Sequence, residues 1–194
     1  MNTTRGFSLI EMMVAVAILV FIVAIVLTNH QRFNSSVLLS ALAYDVALSI
    51  REAQVYGLSV RDYGGQFNVG YGVHFATPDS FFLFADRDRS RTYNAGDTTI
   101  STYTLRRGHT ILRFCGTAGA VERCSDSPSA IDHLDVVFVR PNPDAWLSSD
   151  ENAVACNGNN ASCYSAARVV VTSPGGTTRS IHVVPTGQIS VKNP

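Results

Sequence analysis

The chain has 194 residues, 46% of them hydrophobic and 15% charged, with fifteen Lys and Arg balanced by fifteen Asp and Glu. That length accommodates one ordinary domain plus an appendage, and the composition excludes a disordered chain. Zero net charge excludes a global field drawing the protein to nucleic acid or a charged membrane, so any electrostatic partner must be met by a local patch.

Behind Arg5, residues 7–27 are almost wholly apolar. At about 1.5 Å per residue such a helix covers roughly the 30 Å hydrocarbon core of a bilayer, which predicts a membrane span. A secretory signal peptide shares the basic-then-apolar order, but this run is long, no convincing A-x-A site follows, and the apolar pattern continues into further helix. Positive-inside bias places Arg5 and the amino terminus in the cytoplasm, with Arg32 on the far flank as a counterweight. Glu11 interrupts the run. A carboxylate there costs a few kcal/mol, roughly 3 at a helix centre and less near its end, so a compensating interaction is expected.

Arg5-Gly6-Phe7-Ser8-Leu9-Ile10-Glu11 resembles the class III leader of type IV pilins and of the pseudopilins of type II secretion. In that pattern a short polar leader ends in Gly, then comes Phe, and a Glu lies fifth after the Gly; Gly6, Phe7 and Glu11 meet it. The resemblance implies that residues 1–6 are a leader, that a prepilin peptidase cuts between Gly6 and Phe7, and that the new amine of Phe7 is methylated. It implies as partners other pilin or pseudopilin subunits, an inner-membrane assembly platform and membrane lipid, with the head in the periplasm or on a filament. Cleavage would leave a cationic amine on Phe7 beside the Glu11 carboxylate. When helices stack, Glu11 of one subunit can face the Phe7 amine of a neighbour, which partners both charges and fixes register.

Beyond the span, Val37, Leu38, Leu42, Val46, Leu48, Ile50 and Val55 approximate helical recurrence. This predicts one long helix from about Phe7 to Leu58, within a segment 7–60, with Gly57 beginning its stop. After Gly64-Gly65 the pattern alternates: Phe67, Val69, Tyr71, Val73 and Phe75 read as a half-buried strand. SFFLFA, TTISTYTL, TILRF, LDVVFVR, ARVVVTS and TTRSIHVV follow as strands, the last two joined by a Pro174-Gly175-Gly176 hairpin. The expected fold is α+β and pilin-like: a long N-terminal helix, transmembrane in its first half, packed on a mostly antiparallel β head spanning 61–194. The run ARVVVTSPGGTTRSIHVVPTGQISV resembles the closing strands of the GspH/FimT group of minor pilins and pseudopilins.

In FADRDRSRTYNAGD, Asp86, Asp88, Ser90, Thr92, Asn94 and Asp97 fall at positions one, three, five, seven, nine and twelve, the spacing of an EF-hand-like calcium loop. Arg91 stands where the sharp turn wants Gly, and no helix flanks the loop. The bland alternative is a solvated hairpin loop with internal Arg–Asp pairs. A further reading gives Arg87, Arg89 and Arg91, with Arg106 and Arg107, to the phosphates of captured DNA.

Four cysteines in polar segments read as disulfides of an oxidising compartment, with Cys115–Cys124 and Cys156–Cys163 the preferred pairing of three. Zinc is the competing reading, without C-x-x-C spacing or a neighbouring His. The excursion PNPDAWLSSDENAVACNGNNASCY, with Trp146, reads as a disulfide-tied surface loop suited to partner contact. No catalytic motif appears: His30, His74, His109, His133 and His182 are scattered, and Asp132, His133 and Asp135 read as a turn and strand start. The sequence therefore reads as a non-enzymatic structural subunit of a filament with no cofactor beyond candidate calcium. The alternatives are a DNA- or surface-binding minor pilin and a monomeric membrane-anchored periplasmic binding domain.

Overall fold

The computed structural model describes residues 6–59, 63–65, 67–128, 130–150, 152–156 and 163–193, with only the backbone described for 28–34 and 152–156. A single helix, α1 (Leu9–Leu58), accounts for the first third of the chain. It starts where Ser8, extended at φ −80° and ψ 152°, turns its hydroxyl onto the Glu11 N–H at 3.2 Å. It stops at Ser59, whose N–H returns to the Val55 carbonyl at 3.0 Å.

Two halves of α1 behave differently. Leu9–Leu27 is 19 residues long and buried nowhere. From Leu39 onward, Leu39, Ala43, Val46, Ile50 and Ala53 are fully buried. Their steps of four and three residues trace one helical stripe, and the two alanines let the backbone lie close to the sheets. Val37, Leu48 and Val55, which the recurrence also picked out, face solvent instead at 51%, 63% and 60% exposure.

Eleven strands follow: β1 (Gly70–Phe75), β2 (Ser80–Asp86), β3 (Thr98–Thr104), β4 (Thr110–Ala118), β5 (Val121–Cys124), β6 (Leu134–Phe138), β7 (Ala145–Ser149), β8 (Asn152–Cys156), β9 (Ala166–Thr172), β10 (Thr178–Val183) and β11 (Ile189–Lys192). They form two antiparallel sheets, ordered β3-β2-β1-β6-β7-β8 and β11-β10-β9-β4-β5. The stripe of α1 packs on β1 and β6 of the first and on β9, β10 and β11 of the second, so one core joins helix and both sheets. The expected α+β, pilin-like arrangement is what forms, with the head built from two sheets.

The expected strands are present, β11 ends the closing run as the resemblance implied, and three further strands are added. The stretch 141–164, expected to be a surface loop, contributes β7 and β8. Leu147 pairs with Val136, and Ala145 and Leu147 are buried, an alternation that the surrounding Pro, Asp and Ser residues obscure. β5 is added beside β4. β1 begins at Gly70, later than expected, and is buried on both faces. Its outer face is covered because the β2–β3 loop folds back, bringing the Tyr93 ring within 4.7–5.2 Å of His74, Phe82 and Phe84.

Gln54 locks the helix to the far loops, donating to the Pro143 carbonyl at 3.1 Å and the Gly187 carbonyl at 3.0 Å. Tyr56 meets Tyr71 edge-on at 5.6 Å, so the start of β1 lies at the end of the head where α1 finishes. The end where α1 enters carries the β1–β2 and β3–β4 turns, linked by Leu105 N–H to the Asp79 carbonyl at 2.8 Å.

Candidate functional site

Three residues of the expected leader motif lie on or beside the first turn of α1. Arg5 lies outside the described residues, and for Arg32 only the backbone is described. Gly6 precedes the helix with nothing within 4 Å of where a Cβ would stand, so packing within the chain does not demand glycine there. Phe7 is 80% exposed. Glu11, also exposed, occupies the third helical position after the Ser8 cap. Ser-x-x-Glu is a capping-box spacing, which the sequence offered and the motif reading passed over. The carboxylate thus sits where unpaired helix N–H groups and the helix dipole favour negative charge, which offsets part of its cost locally. The apolar residues beyond it, among them Leu9, Ile10, Met13, Leu19 and Phe21, are 62–79% exposed, so this half of the helix is a surface to be covered by something outside the chain.

The β2–β3 loop gathers the six residues of the calcium spacing. Carboxylate oxygens of Asp86, Asp88 and Asp97 lie within 4.8 Å of one another. Asp86, fully buried, accepts from Ser90 N–H at 3.1 Å and Arg91 N–H at 3.0 Å. Asp88 accepts from Ser90 N–H at 3.0 Å and from the Asn94 amide at 2.8 Å. Asp97 accepts from Arg87 and Asn94 N–H groups, both at 2.9 Å. Thr92 turns away, its hydroxyl donating to Asp135 at 2.8 Å. Among the described residues the loop therefore holds its acids by backbone amides, and no ion pair joins them to Arg87, Arg89 or Arg91.

The charges leave a signature. Burial, then repulsion from Asp97 and Asp88, raises the Asp86 carboxyl to about 6 against the lowering effect of its backbone donors. Burial also raises Asp97, whereas hydrogen bonds from Ser90 and Asn94 lower Asp88. Three acidic groups thus converge with incomplete neutralisation, a donor set of hard oxygens suited to a divalent cation.

The arginines divide. Arg87 and Arg89 are exposed, whereas Arg91 lies over the Trp146 ring at 3.5 Å from its centroid. Arg89 and Arg91 hold left-handed backbones, at φ 63° and 64°, a conformation that costs a side-chain-bearing residue about 1 kcal/mol or more. Arg106 and Arg107 stand at the other end of the β2–β3 ribbon, roughly 20 Å away along seven residues of strand, so the five do not form one patch.

A Cys115–Cys124 disulfide joins opposed residues of β4 and β5. Cys163 is buried and disulfide-bonded, while the side chain of Cys156 lies outside the described residues.

A network outside the expected sites organises the loop. Asp135, completely buried on β6, bonds His74 Nδ1 at 2.6 Å and accepts from the Thr92 hydroxyl and Tyr93 N–H, both at 2.8 Å. His133 stacks on His74 at 5.4 Å between centroids. In the sequence these residues looked scattered because they lie 61 positions apart, and only the β1–β6 register sets His74 opposite Asp135.

Among protein families, residues 1–27 match the one described as prokaryotic N-terminal methylation motif. No curated protein and no solved structure compared with the chain matches it. The matched segment contains Gly6, Phe7, the Ser8 cap and Glu11, and the motif supports a type IV pilin-like protein.

Proposed function

We propose that the protein is a structural, non-enzymatic subunit of a type IV pilus or type II secretion filament, a minor pilin or pseudopilin of the GspH/FimT kind. The observation that carries this reading is Glu11 capped into the first turn of α1, whose apolar stretch Leu9–Leu27 is wholly exposed and begins just after Gly6-Phe7. Prepilin peptidase removes residues 1–6 and methylates Phe7. The apolar half of α1 then anchors the subunit in the inner membrane with the head in the periplasm, and passes from lipid into a bundle of like helices. There Glu11 pairs with the Phe7 amine of a neighbour, where a misregistered subunit would leave two charges unpaired in an apolar surround. Replacing Glu11 with Leu tests the pairing: membrane insertion persists and incorporation into filaments fails, while normal incorporation would refute it.

A second reading concerns the β2–β3 loop and rests on the convergence of Asp86, Asp88 and Asp97. A calcium ion there would be held by these carboxylates, with Ser90 and Asn94 beside them, and would relieve the repulsion that raises Asp86. Thermal melting of the full chain in calcium and in chelator checks it: at a hundredfold excess over the dissociation constant, bound calcium adds about 2.7 kcal/mol. Identical melts would end it. If the displayed loop contacts DNA, the exposed Arg87 and Arg89 carry the contact, and charge reversal of that pair abolishes retention.

A further inference from the structure

We infer that the β3–β4 turn of Arg106 and Arg107 docks the head on the anionic phospholipid headgroups of the membrane from which α1 emerges. The inference rests on the membrane-anchored reading above. It starts from position along the helix. The apolar span ends at Leu27, and Leu38, eleven residues on, lies roughly 16 Å further along the axis. The headgroup layer takes up about 5–7 Å of that distance. At the level of Leu38, Ala41 and Leu42 the helix meets this turn, and together they wall a groove of about 370 Å³ with Thr104, Leu105 and His109. The turn therefore stands about one Debye length, roughly 8–10 Å, from the headgroups.

The turn's geometry presents its charge outward. Arg107 and Gly108 take consecutive left-handed conformations, φ 60° and 73°. His109 lies buried beneath, its N–H and its Nδ1 both 3.2 Å from the Arg106 carbonyl. The two guanidinium groups are exposed, and among the described residues neither pairs with a carboxylate. Asp45 also lines the groove, but seven residues past Leu38 it stands about 10 Å farther from the bilayer. Asp79 shares this end and offsets part of the charge. Arginine forks match phosphodiester oxygens.

Native mass spectrometry of the full chain in neutral detergent, with equal phosphatidylglycerol and phosphatidylcholine, tests this. Two near-surface arginines predict an enrichment of the anionic lipid by about tenfold or more at low salt. Arg106→Gln/Arg107→Gln brings this below about twofold, whereas Arg106→Lys/Arg107→Lys and the distal Arg87→Gln/Arg89→Gln retain it. Equal retention of the two lipids by the native chain, or undiminished enrichment in the glutamine pair, would overturn the inference. Flotation with phosphatidylcholine vesicles reports the anchor separately. A chain that fails to float overturns both readings, and one that floats without enrichment overturns this one alone.

Discussion

His74 and Asp135 face each other across the β1–β6 pair at 2.6 Å, and the second oxygen of Asp135 reaches past the strand to hold Thr92 and Tyr93 of the β2–β3 loop. One buried carboxylate thus ties the head's longest hairpin loop to its first sheet. Asp135→Ala strands the buried His74 and the half-buried donors of Thr92 and Tyr93, and is expected to cost roughly 3–5 kcal/mol, lowering the melting temperature by roughly 10 °C. Circular dichroism melts of the full chain in detergent measure it, and a shift of only a degree or two would show that the aromatic cover alone holds the loop.

Gly57 inverts an ordinary expectation. Within an exposed helix, Gly→Ala gains up to about 1 kcal/mol. Here a Cβ would lie 2.4 Å from the Phe138 carbonyl oxygen, and backbone cannot swing aside as a side chain can. Gly57→Ala should therefore destabilise by about 1–3 kcal/mol, measured by urea denaturation.

Asp86 makes stability depend on pH with a defined sign. Its folded value of about 6 exceeds the unfolded value, so the folded state holds the extra proton between about pH 4 and pH 6. The group's stabilising contribution is full below that window and is lost as pH rises through it, by at most about 3 kcal/mol. In chelator, Asp86→Asn should flatten this slope in melts at pH 4.5 and pH 7. An unchanged slope would assign it to other groups.

Much of this architecture was legible and the remainder was hidden for definite reasons. Leu39, Ala43, Val46, Ile50 and Ala53 form a helical stripe readable in one dimension, although the exposed Val37, Leu48 and Val55 blurred it. Strands such as β9 and β10 announce themselves by β-branched runs around Pro174-Gly175-Gly176. β7 was missed because Leu147 is its one large apolar inward residue, flanked on that face by the small Ala145 and the polar Ser149, so their burial depends on β6 beside them. Gly57 looked like a helix stop because only the approach of Phe138, 81 residues later, reveals the close contact. The methylation motif was legible because the spacing of Gly6, Phe7 and Glu11 is local. The split of Arg106 and Arg107 from Arg87 and Arg89 required knowing that β2 and β3 pair antiparallel.

One substitution pair can separate the proposed pairing of Glu11 from its place in the local helix cap. Ser8 caps the first turn through the Glu11 N–H, and either Glu or Gln suits that capping-box position. Glu11→Gln should keep the helix start, as judged by far-ultraviolet circular dichroism in detergent, yet lose filament incorporation as Glu11→Leu does. Normal incorporation of the glutamine variant would reduce Glu11 to a local cap. Ser8→Ala should cost the helix end about 1 kcal/mol and leave incorporation largely intact.

The unbroken run of α1 from Leu9 to Leu58 also determines how the protein bears load. Pull on the apolar end travels along a hydrogen-bonded rod into a head that grips it lengthwise through β1, β6, β9, β10 and β11. Extraction would have to shear those contacts, the Gln54 bonds and the seat of Gly57 together, with no edge from which to peel them one by one. A subunit built this way resists tension along its axis far better than across it.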